Sequence, residues 1–169
     1  MSYYHGSRDD SLKYLSIEHN KDKLVYVTES RLVALTYAVR GYPNLFTTLI
    51  NGKEAFLELV PNLFEKMTKG KEVYIYTLED SNYKKIIQNN KCGHKNCYSC
   101  DKDVRVVSKE YIKDAYDEFK KYIDSNEFII ITSENIPNRE KIIKDITETQ
   151  NSSNINNKEN YMKYIIGCL

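Results

Sequence analysis

Tryptophan is missing from this 169-residue chain, and phenylalanine occurs only five times. Aromatic area therefore comes mainly from tyrosine, present 15 times. Tyrosine joins a large apolar ring to a polar tip, which suits half-buried walls and pockets. Arginine is scarce too: Arg8, Arg31, Arg40, Arg105 and Arg139 are five of the 25 cations. So small a set can build few bidentate phosphate clamps. Neither sign of charge dominates, since 25 Lys+Arg face 24 Asp+Glu for a formal net charge of +1. That balance excludes the strongly basic surface of a dedicated nucleic-acid binder. No apolar run approaches the roughly 20 residues that span a bilayer. The opening MSYYHGSRDD lacks the charged-then-apolar pattern of a signal segment. Three of the four cysteines crowd into positions 92–100. A secreted disulfide framework would spread them along the chain, so a reducing cytoplasm is the expected setting.

What remains is ordinary globular material, 41% apolar and 29% charged, in a length suited to one core. One domain is expected over residues 1–146. A polar, Asn/Ser-rich linker follows at 147–160, then an apolar tail at 161–169.

Tyr3–His5, closed by Gly6-Ser7, reads as a first strand, and the β-branched run Leu24–Thr28 as a second. Thr28 is placed to cap a helix with Glu29 in its first turn, carried on by Ala34, Leu35, Tyr37 and Ala38 to about Arg40. Asn51-Gly52 between Phe46–Ile50 and Glu54–Leu59 marks a hairpin with a type I′ turn. Pro61 and Gly70 bracket a short helix. Glu72–Leu78 reads as a strand, and Asp80 as the cap of a short helix to about Asn89. Beyond a cysteine loop, Asp103–Val107 alternates as a strand. Ile112, Ala115, Tyr116, Phe119, Tyr122 and Ile123 trace a helix face, and Glu127–Thr132 is a further strand. Pro137 opens a last helix bearing Ile142, Ile143 and Ile146. Helices and strands mix without strict alternation, which points to an α+β fold with a mainly antiparallel sheet.

The chemistry concentrates near the start, in His5-Gly6-Ser7-Arg8, then Tyr26, Ala34 and Tyr37. Gly6 lets a ligand approach the backbone, and its backbone groups can grip a carboxamide. His5 can bond a ribose hydroxyl, and Arg8 can pair with a pyrophosphate. Tyr26 and Tyr37, eleven apart across a strand-to-helix turn, can bring two rings to opposite faces of a flat cationic heterocycle.

In order and spacing these residues resemble the ADP-ribosyltransferase superfamily, nearest to its diphtheria-toxin and poly(ADP-ribose) polymerase branch. That branch has His-Gly-Ser/Thr on its first strand, a Tyr on the second, a small residue eight positions on and a second Tyr eleven on. Ala34 stands here for the more usual Ser. The resemblance implies a single-domain, split, mainly antiparallel sheet with peripheral helices. It also implies an NAD site built from His5, Gly6, Ser7, Arg8, Tyr26, Ala34 and Tyr37, and transfer of ADP-ribose to a protein, nucleic-acid or small-molecule acceptor. His5 and Tyr26 would belong to the catalytic set. The family's third element is a late acidic residue, usually Glu, that stabilises the cationic sugar as nicotinamide leaves. Asp103 falls nearest that place, with Glu127, Glu79 and Asp80 as the other choices. A softer likeness over residues 1–132 links the chain to small uncharacterised bacterial proteins that begin Tyr-His-Gly-Ser. Two further readings stay open: a non-catalytic binding module of the same fold, and an NAD-dependent RNA 2′-phosphotransferase. The latter family relies on several arginines, for which Arg8, Arg31 and Arg40 are the candidates.

Cys92, His94, Cys97 and Cys100 form a second constellation. Three thiols and an imidazole suit tetrahedral zinc, with Cys168 a possible further ligand. Free cysteines in a loop are the alternative, so zinc is kept open and no metal ligand is assigned.

Overall fold

The computed structural model describes residues 2–39, 48–86, 96–136, 138–141 and 143–144. Arg40, Phe46, Cys92, His94, Pro137, Ile142, Ile146, the proposed linker and the tail with Cys168 lie outside them.

The elements in chain order are β1 (Tyr3–Ser7), β2 (Tyr14–Leu15), β3 (Val25–Thr28), α1 (Arg31–Val39), β4 (Thr48–Ile50), β5 (Lys53–Leu57) and α2 (Leu63–Thr68). Then come β6 (Val73–Leu78), β7 (Lys84–Lys85), β8 (Cys97–Cys100), β9 (Val104–Ile112), α3 (Ala115–Asp124) and β10 (Phe128–Ile131). Seven strands form one sheet in the order β2-β9-β6-β1-β3-β8-β7, and every pair in it is antiparallel. A second sheet has the order β10-β5-β4, with β10 parallel and β4 antiparallel to β5. The fold is therefore mixed α+β with mostly antiparallel strands, as the composition of elements implied.

Local chemistry explains most boundaries. Asn51 and Gly52 both take positive φ, 50° and 79°, as a type I′ turn requires, and join β4 to β5. Asp114 caps α3 by accepting from the Tyr116 and Asp117 amides, and its other oxygen accepts from the Gly70 amide. That cap explains why Ile112 belongs to β9, paired with Val73, and not to the helix face assigned to it. Ser30, not Thr28, caps α1: its hydroxyl accepts from the Val33 amide. Thr28 instead accepts from the Ser30 amide and donates to the Asn96 carbonyl.

Three further corrections come from tertiary pairing. The cysteine loop contains a strand, β8, which pairs with β3 from Val25↔Cys100 to Thr28↔Cys97. No helix follows Asp80 within residues 80–86, because Lys84 and Lys85 pair with Ser99 and Tyr98. The strand expected at 103–107 starts one residue later and runs on to Ile112, along β6.

Each face of the large sheet carries an apolar cluster. One carries Leu15, Val25, Val27, Tyr76, Leu78, Cys100 and Val104. The other meets α1, α2, α3 and the small sheet around Phe64, whose ring lies 5.0–5.3 Å from those of Phe56, Phe119 and Phe128. Truncating such a ring typically costs about 3–5 kcal/mol. α1 is not peripheral: Leu32–Thr36, Ala38 and Val39 are all buried. No helix among the described residues is long and apolar enough to cross a membrane.

Candidate functional site

β1 lies between β6 and β3, but its two edges differ. Along β6 it pairs at every residue from Tyr3 to Ser7. With β3 it forms the single pair Tyr4↔Thr28. Beyond that pair the sheet is split, and a cavity of about 390 Å³ opens there, within the usual size of ligand sites. Strand alternation decides much of its wall. Tyr4 and Gly6 of β1, Tyr26 and Thr28 of β3, and Cys97 and Ser99 of β8 share the face that α1 covers with Ala34 and Tyr37. His5, Asp22, Leu24 and Ile86 also line the cavity.

Gly6 sits where strand and helix touch. A Cβ there would stand 1.8 Å from the Ala34 carbonyl oxygen and 2.9 Å from the Ala38 amide nitrogen. Only glycine permits this approach, and a small residue at 34 lets α1 lie flat on β1. One packing contact thus seats Gly6 on Ala34 and Ala38 of α1.

The His5 Nδ1 lies 3.3 Å from the Tyr26 carbonyl oxygen. A carbonyl can only accept, so Nδ1 carries the proton and the neutral ring keeps Nε2 as an acceptor. Burial lowers the His5 pKa below its ordinary value near 6.5, and the bond to Tyr26 only partly offsets this. A neutral imidazole with a free acceptor nitrogen can take a hydrogen bond from a sugar hydroxyl. Tyr26 is 40% exposed, enough for its ring to face a ligand, and its hydroxyl donates to Asp22.

Five of the expected residues meet here: His5, Gly6, Tyr26, Ala34 and Tyr37. Ser7, Arg8 and Asp103 are not among the lining residues. The Ser7 hydroxyl accepts from the Asp9 amide. Arg8 donates to the Val39 carbonyl at 2.8 Å, holding the end of α1. Asp103 accepts from the Ile17 amide at 2.9 Å and stands at the start of β9, with β6 and β1 between that strand and β3. The other candidate acids lie elsewhere too. Glu79 accepts from the Arg105 amide and guanidinium, and Glu127 accepts from Ser125. Asp80 raises the pKa of Tyr3 and Tyr83, as a lesser cause after burial. Among the described residues that line the cavity, Asp22 is the one carboxylate.

Cys97 and Cys100 are both buried, on opposite faces of β8. Cys97 packs with Val33, and Cys100 with the Val25 and Val104 cluster. An i, i+3 pair on a strand points two ways, unlike the same spacing in a chelating turn. Among the described residues no group of three His, Cys, Asp or Glu side chains is placed to hold a metal.

Asp22, Leu24, Cys97 and Ser99 were not anticipated. Tyr26 and Thr28 predict their own shared face, but no local signal says that β8 runs beside them. Compared with protein-family models, curated proteins and solved structures, the chain matches none.

Proposed function

We propose that the cavity binds the nicotinamide end of NAD and that the chain is an NAD-binding domain of ADP-ribosyltransferase type. The observation that carries this is the convergence of His5, Gly6, Tyr26, Ala34 and Tyr37 on one cavity from β1, β3 and α1. They are the residues whose order resembles that superfamily. In this reading Tyr26 and Tyr37 hold the ring, and His5 accepts from a ribose hydroxyl through Nε2. The split beside Gly6 leaves room for a carboxamide at the backbone.

Transfer of ADP-ribose requires stabilisation of a cationic sugar, and Asp103 is committed to Ile17 away from the cavity. That favours a second reading beside the first, a module that binds NAD without transferring it. Support for the RNA phosphotransferase is weaker. Arg8 is engaged by Val39, and Arg31 by Glu110 and Glu118.

Calorimetric titration with NAD tests the binding. Wild type binds, and His5→Ala and Tyr37→Ala each weaken binding at least tenfold, about 1.4 kcal/mol. Failure of the wild type to bind at millimolar NAD refutes both NAD readings. Nicotinamide release with and without cell lysate then separates transferase from binding module.

A further inference from the structure

The cavity holds a charged group that the resemblance does not call for. Asp22 lies in the turn before β3, four residues ahead of Tyr26, and accepts a hydrogen bond from the Tyr26 hydroxyl. The turn is tied down from inside: the Lys23 amide bonds the Asn20 carbonyl at 3.0 Å, and the Asn20 side chain bonds the Leu24 carbonyl at 2.7 Å. Asp22 is therefore held at the rim of the cavity by its own loop.

Among the described residues no cation forms an ion pair with Asp22, and Lys84, which shares a face with Ser99, pairs with Asp101. The Lys23 ammonium is bound to Glu18. Lys85 borders the cavity, but it pairs with Tyr98 across β7 and β8, which puts its Cβ on the face opposite Cys97 and Ser99. His5 is held toward its neutral form by burial. The remaining polar side chains of the described wall come from Tyr4, Thr28, Tyr37, Cys97 and Ser99, none of them a Lys or Arg.

A carboxylate hydrogen-bonded to the phenol of a ring wall strengthens the pull of that wall on positive charge. The phenol becomes more electron-rich, and the anion adds a direct Coulomb attraction at the cavity rim. A neutral ring of the same shape gains neither effect. We propose that Asp22 makes this cavity selective for an aromatic ring bearing a permanent positive charge, and so for the oxidised pyridinium nucleotide over its neutral reduced form. Asp22 is a specificity-determining residue acting partly through Tyr26. This rests on the reading that the cavity takes the nicotinamide end of NAD.

The test compares NAD with NADH, and 1-methylnicotinamide with nicotinamide, by calorimetry on wild type, Asp22→Asn and Tyr26→Phe. Asn keeps an acceptor for the Tyr26 hydroxyl and removes the charge. Wild type is expected to prefer the cationic member of each pair by at least tenfold. Asp22→Asn loses most of that preference, through weaker NAD binding with NADH binding unchanged. Tyr26→Phe keeps part of it, because the carboxylate remains. Lys23→Ala, a charge change in the same turn, leaves the preference intact. Circular dichroism confirms that each variant folds. If Asp22→Asn binds NAD as tightly as wild type and keeps the preference, Asp22 has no such role and the NAD reading stands. If wild type binds none of the four ligands, the NAD reading itself fails and this proposal goes with it.

Discussion

Gly6→Ala is the sharpest test of how the site is assembled. The added methyl carbon would meet the Ala34 carbonyl oxygen at 1.8 Å, the Ala34 carbonyl carbon at 2.7 Å and the Ala38 amide at 2.9 Å. All three atoms are backbone of a buried helix, so no side chain can swing aside. Ordinary contact needs a separation of about 3.5 Å, so α1 would have to lift from β1 by roughly 1.5 Å. α1 also packs on the core around Phe64, and lifting it would open that core as well. Overpacking usually costs about 1–3 kcal/mol, and a clash against immovable backbone belongs at or beyond the upper end. For a domain of this size 3 kcal/mol lowers the melting temperature by roughly 6–12 °C. Thermal unfolding followed by circular dichroism reads this directly. Gly70→Ala is the control: its φ is +68° and no atom lies within 4 Å of the added carbon, so only the left-handed backbone penalises it, by about 1–2 kcal/mol. Lifting α1 also moves Tyr37, so NAD binding should fall together with stability. A Gly6→Ala protein that melts within 2 °C of wild type would refute the close seating of β1 on α1.

Four further outcomes follow from the charged groups. His5 has a folded pKa below its unfolded value near 6.5, so the unfolded chain takes up the proton first as pH falls. Its contribution is complete above pH 6.5 and is lost on acidification through the lower folded value. His5→Asn should flatten the stability profile below pH 6.5 in urea titrations. Glu118 is pushed up by burial, but hydrogen bonds from Lys121 and Arg31 outweigh that and leave its pKa lowered. Its stabilisation is present above about pH 4.5 and disappears as pH falls through the depressed value. Glu118→Gln should remove that acid-side loss. Arg31→Ala, which leaves the half-buried Glu118 without its guanidinium, should cost about 1–2 kcal/mol by urea denaturation. Asp103→Ala should leave NAD affinity unchanged in calorimetry, because its oxygen serves the Ile17 amide. A tenfold loss would return Asp103 to the site.

Features that depend on neighbours in sequence were legible from residues alone. The Asn51-Gly52 turn, the helix between Pro61 and Gly70 and the β-branched strand before α1 each rest on backbone preference within a few residues. The order His5, Gly6, Tyr26, Ala34, Tyr37 was legible too, because one strand-turn-helix unit carries its second half and fixes how Tyr26 and Tyr37 relate. Tertiary structure alone decided the rest. The Cys97–Cys100 segment became a strand because β3 offers it an edge about 70 residues earlier in the chain, and β7 followed for the same reason. Strand order also decided that Asp22 and not Asp103 borders the cavity, because β9 lies beyond β6 and β1 while the turn before β3 stays at the cavity rim. Propensity and periodicity describe a chain against its own near neighbours. Which strand lies beside which depends on distant apolar faces meeting in one core, and no local pattern encodes that choice.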